Sequence, residues 1–227
     1  MKKQIVKFVI DKNLDIQNHL IGLDTYKNKT HSRAQQKNEK MNILLKLSKS
    51  KQKISIAKDI AKYYSLAKKK YLDSITADIN REWLKIEKDF LIKLEKIHKK
   101  PFPYNSVRGV ISSADRFGYS TKGRWFATGM RQNKFVAIDI ATHEMMHFMF
   151  HKYYWKVCLD KGLSSKQIWA IKEAFTVLLN LECSSMRFEL DRGYPEHKNI
   201  REAIEKSWKN NHNFEKALEF AIKMIMR

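Results

Sequence analysis

The stretch that decides the fold is Ile140-Ala141-Thr142-His143-Glu144-Met145-Met146-His147-Phe148-Met149. On a helix, residues four apart lie on one face, with Cβ atoms about 5–6 Å from each other. His143 and His147 are so spaced, and two imidazoles in that position can reach one metal ion at about 2.0–2.1 Å. Glu144 then stands beside the metal, placed to take a proton from a bound water. The spacing predicts a helix over 140–159, closed by Gly162, with a β-rich run at 134–138 leading into it. His151 extends the histidine row by one more turn. It lies about 12 Å along the axis from His143 at 1.5 Å per residue. That is too far for a shared ion, so His151 reads as a core residue or a support for the ligands.

A zinc site needs a further ligand, and the next helical stretch offers one. Ser164 with Gln167 three residues on is a capping box, and it opens a helix predicted to reach Cys183. Within it lies Ile168-Trp169-Ala170-Ile171-Lys172-Glu173-Ala174-Phe175-Thr176-Val177. Glu173 has Trp169, Ala170, Thr176 and Val177 on its own face. A carboxylate on an apolar stripe is costly unless it is ion-paired or metal-bound. Either a buried ion pair with Lys or Arg or ligation of a metal satisfies that demand. The metal reading explains both the burial and the missing third ligand.

On these residues the chain resembles the gluzincin-type zinc metallopeptidases, and in its compactness the minigluzincins. The resemblance covers about 74–226 and is sharp at His143–His147 and at Glu173. It implies a Zn2+ held by His143, His147, Glu173 and a water, with Glu144 as general base in peptide-bond hydrolysis. It also implies an oxyanion donor downstream. Tyr194 and His197, in Asp191-Arg192-Gly193-Tyr194-Pro195-Glu196-His197, are the catalytic candidates for that part, and His212 is a third. Zincins commonly bind a peptide along a sheet edge above the metal, and the run 124–130 is the expected edge. Many gluzincins carry an Asp four residues after the ligand Glu. Here that position is Val177, so Thr176 or Asn180 is expected to support a ligand histidine.

Working outward, 74–99 has the strongest amphipathic stripe: Ile75, Ile79, Trp83, Ile86, Phe90, Leu94 and Ile97. Pro101 and Pro103 stop it. In the resemblance it is the backing helix of the sheet. Between Tyr104 and Ile140 lie Gly109, Gly118, Gly123 and Gly129 among short β-rich runs, 107–111, 124–130 and 134–138. They predict a small antiparallel sheet with tight turns. Helices are expected after Pro195 and Asn213. Residues 5–10 read as a short strand, 27–40 as a polar loop, and a helix is expected to carry Ile56 and Ile60. The expected fold class is α+β. A mostly helical zincin-like domain (73–227) carries the small antiparallel sheet above the HExxH helix, and a basic, mainly helical accessory region (1–72) precedes it.

The 227 residues hold 45 Lys and Arg against 24 Asp and Glu, a net charge of +21. Residues 1–100 hold 25 of the basic and 11 of the acidic residues, and so carry +14 of that charge. Such an excess attracts nucleic acid or an anionic surface. The alternative function is therefore a basic helical nucleic-acid-binding protein with a structural or degenerate metal site. Ten of the 45 are Arg, the residue best shaped for phosphates and base edges, which tilts the balance to the hydrolase. Its partner is then a peptide or protein substrate. No run of 18 apolar residues is present, so no transmembrane segment is expected. The N-terminal apolar run, broken by Lys7, is too short for a signal peptide. Cys158 and Cys183 form no CxxC, which fits a reducing, cytoplasmic setting.

Overall fold

Proline and glycine punctuate this chain sparsely, with 3 Pro and 7 Gly, and long helices result. The computed structural model describes residues 4–28, 39–114 and 118–226. In chain order the elements are β1 (Val6–Val9), α1 (Lys12–Asn28), α2 (Glu39–Leu45), α3 (Lys49–Tyr63), α4 (Leu66–His98), β2 (Val107–Ser112), β3 (Tyr119–Ser120), β4 (Trp125–Gly129), α5 (Lys134–Tyr153), α6 (Trp155–Asp160), α7 (Ser165–Ala174), α8 (Val177–Glu182), α9 (Lys198–Asn211) and α10 (Phe214–Ile225). Short 3-10 turns at Ser184–Met186 and Pro195–His197 complete the set. The architecture is α+β, mostly helical with one small sheet. Most of the loop expected at 27–40 lies outside the described residues; α1 enters that range as far as Asn28 and α2 leaves it from Glu39.

Two compact units divide the chain. The first takes residues 1–81 and 106–137, and the second takes 82–105 and 138–227. The first unit thus draws its strands from both sides of residue 72. Helices α4 and α5 each contribute to both units.

In the first unit the sheet order is β1-β2-β4-β3. The expected antiparallel sheet is corrected here: β1 pairs β2 and β2 pairs β4 in parallel, and the short β3 alone runs antiparallel to β4. Parallel pairing requires a long crossover, and β1 and β2 are separated by four helices. The expectation that 124–130 forms a free sheet edge is also corrected. Strand β4 lies between β2 and β3, and Trp125 and Phe126 are buried. Gly109 on β2 is required by packing. A Cβ there would stand 2.6 Å from the Phe8 ring, which meets Phe126 edge-on at 5.9 Å between centroids. Asn80 of α4 clips β1 by accepting from Phe8 N and donating to Phe8 O, both at 2.9 Å. Ile16, Leu23, Leu44, Ile56 and Ile60 form the core between α1, α2 and α3.

The run 134–138, read as a strand, is instead the first turn of α5. Asn133 explains the difference: its Oδ1 accepts from Val136 N at 3.0 Å, the N-cap bond that starts a helix. An apolar run of that length fits strand and helix alike.

The second unit is built on aromatic and aliphatic side chains of α4, α5, α7 and α10. Tyr154, Phe214 and Phe175 stack in sequence, with centroids 4.3 and 4.2 Å apart, and His98 lies 4.4 Å from Phe214. The predicted helix 140–159 is broken at Tyr154 into α5 and α6, and Gly162, with φ +84°, ends it as expected. The predicted helix from Ser164 to Cys183 is likewise broken, at Phe175 and Thr176, into α7 and α8. Among the described residues, no helix is long and apolar enough to cross a membrane.

Candidate metal centre

All the residues of this site belong to the second unit. Helix α5 is apolar on several faces around the site, with Ala141, Met145, Met146, Phe148, Met149 and Phe150 buried. That holds His143 and His147 rigidly, one turn apart, with ring centroids 4.3 Å from each other. Helix α7 starts at the predicted capping box, Ser164 and Gln167 satisfying each other's backbone N–H, and delivers Glu173 near its C-terminal end.

Glu173 Oε2 stands 3.4 Å from His143 Nε2 and 3.5 Å from His147 Nε2. Ligand atoms bound at 2.0–2.2 Å in a tetrahedral zinc site are about 3.3–3.6 Å apart. Each of the two Glu173–imidazole separations is therefore that of a ligand pair on one ion. Glu144 joins the cluster: one ligand atom from each of His143, Glu144 and His147 lies within 4.8 Å of the others. Its Oε2 is 3.4 Å from Nδ1 of His147. That oxygen is buried and makes no hydrogen bond among the described residues.

The expected supports are corrected. Neither Thr176 nor Asn180 is the partner of His143; Asp191 is, with Oδ2 2.6 Å from His143 Nδ1. Thr176 and Asn180 act one step further out. Thr176 Oγ1 donates to Asp191 Oδ1 at 2.9 Å, and Asn180 exchanges two bonds with the Asp191 backbone, at 2.8 and 2.9 Å. Arg201 of α9 donates to Asp191 Oδ1 at 3.0 Å and to its carbonyl at 2.5 Å. Gly193, at φ +62°, makes room for this guanidinium, because a Cβ there would sit 2.6 Å from Arg201 Nη1. The segment before Asp191 is tied to α5 one turn ahead of His143. Asp139 accepts from Phe188 N at 3.0 Å and Glu189 N at 2.9 Å, and Arg187 donates to the Asp139 carbonyl and to Thr142. A carboxylate on Nδ1 holds a proton there, so in the neutral ring Nε2 is the nitrogen left bare toward the metal position.

His147 has a different neighbour. Lys172 Nζ is 3.0 Å from its Nδ1 and 2.7 Å from Glu173 Oε1, and Lys172 is fully buried. Of the two ways of satisfying a buried Glu173, the ion pair is present on Oε1, and Oε2 faces the two imidazoles.

The charges respond to this crowding. Burial lowers His143, but its bonds to Asp191 and Glu173 overcome that and raise it to about 9. Burial pushes Glu144 up to about 7, against the pull of His143 and Lys172. Glu173 resists burial and stays well below the usual carboxylate range because of His147, His143 and Lys172. Burial, then the charges of Lys172 and His143, hold His147 well below its ordinary value. Asp191, also opposed by burial, is kept low by His143 and Arg201.

Of the remaining candidates, Tyr194 and His197 come together: Trp169 packs on both, with centroids 5.3 and 5.2 Å away. Burial raises the Tyr194 hydroxyl, and Glu173 and Glu144 raise it further, so it senses the field of the cluster. His197 is buried, and its Nδ1 makes no hydrogen bond among the described residues. His212 instead ends α9 in the left-handed region, with its ring 5.6 Å from Trp208. His151 stacks on Trp155 at 4.5 Å, as suits a packing residue. Asp191, Lys172 and Arg201 were not legible as site residues. The one available signal was Lys172, a cation next to Glu173 on a helix with an apolar stripe. The chain matches no family model, no curated protein and no solved structure.

Proposed function

We propose that this chain is a zinc-dependent peptidase, with His143, His147 and Glu173 as ligands and Glu144 as general base. The observation that carries the reading is that Glu173 Oε2 lies 3.4 Å from His143 Nε2 and 3.5 Å from His147 Nε2, separations suited to ligand pairs on one tetrahedral ion. When bound, zinc polarises a carbonyl and acidifies water. The protein's residues do the rest. Asp191, held by Thr176 and Arg201, fixes the His143 ring. Glu144, raised to about 7, is matched to accepting a proton near neutral pH and passing it to the leaving amine. Tyr194 and His197 supply donors for the negative charge that develops on the substrate carbonyl oxygen.

The test is elemental analysis combined with peptide hydrolysis. Wild type is expected to hold one zinc per chain and Glu173→Ala to lose it. Glu144→Gln is expected to keep zinc while hydrolysis falls about 10²–10⁴-fold, the usual worth of a general base. Unchanged turnover in Glu144→Gln removes the base assignment, and zinc content unaffected by Glu173→Ala removes the ligand set.

A further inference from the structure

Building on the zinc reading, we propose that Lys172 is a resident cation that competes with the metal for Glu173 and His147, so the site takes a divalent ion tightly once Lys172 has been displaced. Three observations carry this. Lys172 is fully buried, so its ammonium has been taken out of water and depends on the cluster for compensation. It donates to Glu173 Oε1 at 2.7 Å, neutralising the one carboxylate whose other oxygen meets both imidazoles. It also lies 3.0 Å from His147 Nδ1. An ammonium has donors and no acceptor, so Nδ1 accepts and the ring's proton rests on Nε2, the nitrogen that a metal needs bare.

The two histidines are therefore set in opposite senses. Asp191 presents His143 as a ligand. Lys172 leaves the proton of His147 on Nε2, which faces Glu173 Oε2 at 3.5 Å without a hydrogen bond. Support of a ligand histidine by a carboxylate, carbonyl or water strengthens metal binding; a cation in that place opposes it twice, by repelling a dication and by holding the wrong tautomer. Glu173 and Asp191 each already face a cation across a short contact, Lys172 at 2.7 Å and Arg201 at 3.0 Å.

The test is a zinc titration against a chromophoric chelator at fixed pH, on wild type, Lys172→Met, Lys172→Gln, Lys172→Arg and Glu173→Ala, each checked for folding by circular dichroism. The uncharged variants are expected to bind zinc at least tenfold more tightly than wild type. Lys172→Arg, which keeps the charge, is expected to gain nothing. Equal or weaker binding by the uncharged variants, with wild-type binding still abolished by Glu173→Ala, overturns the competition while leaving the metal reading intact. If Glu173→Ala binds zinc as wild type does, the metal reading itself fails. Should the uncharged variants not fold, amine acetylation of the wild-type protein read by mass spectrometry decides. Zinc is expected to raise Lys172 labelling severalfold as the side chain leaves the cluster, and protection unchanged by zinc overturns the proposal.

Discussion

Replacing Asp191 with Asn tests the support of the candidate ligand His143 at nearly constant shape. The carboxylate is buried, with one oxygen 2.6 Å from His143 Nδ1 and the other receiving Thr176 and Arg201 at 2.9 and 3.0 Å. In Asp191→Asn the amide oxygen is retained by Thr176 and Arg201, which are both donors. The amide NH2 then faces His143. The ring must turn Nδ1 into an acceptor, which moves its proton to Nε2 and blocks that nitrogen as a ligand. Asp191 makes the closer of the two carboxylate contacts of His143, 2.6 Å against 3.4 Å for Glu173. Loss of such a partner typically costs 10–100-fold in metal affinity. Arg201 also loses its ionic partner. Outright removal of one member of a buried pair costs about 3–5 kcal/mol. The retained amide hydrogen bonds bring this to about 2 kcal/mol, a fall in Tm of roughly 4–8 °C for a chain of this size. The assays are a zinc–chelator competition at pH 7.5 and a thermal melt of the metal-free protein. A variant that melts lower but binds zinc within threefold of wild type refutes the orienting role and leaves Asp191 a structural residue.

Two further predictions follow from groups around the centre. Gly193→Ala is expected to destabilise the protein by about 1–3 kcal/mol, because a left-handed backbone is strained for alanine and the new Cβ would meet Arg201 at 2.6 Å; an unchanged urea midpoint argues against the Arg201 contact. His98 is buried and lowered to about 3 by desolvation. Between that value and 6.5 the unfolded state binds a proton that the folded state refuses, so stability is lost as pH falls through this window. His98→Phe is expected to remove about 3 kcal/mol of the loss between pH 7 and pH 4, measured by urea unfolding at both pH values, and equal acid sensitivity in the two proteins contradicts the assignment.

Local geometry explains which features were legible in the sequence. The facing of His143 and His147 depends on the helical repeat alone, and Ser164–Gln167 on a three-residue spacing, so both stand in the structure as read. The end of α4 at His98 follows from Pro101, and Asn213 caps α10 by accepting from Lys216 N at 3.0 Å. Where an apolar segment suits two conformations, pattern reading failed. The run 134–138 became a helix through one Asn133 side-chain bond.

By itself, the sequence determined the candidate ligand types and the spacing of the histidine pair, because neighbours on one helix are fixed by its pitch. Tertiary structure decided everything that joins distant segments. The parallel alignment of β1 with β2 spans about a hundred residues, and no local preference encodes it. The partner of His143 comes from a loop 48 residues downstream, and the cation beside His147 from a different helix. A buried charge must find its counter-charge through packing, and packing is a property of the folded chain.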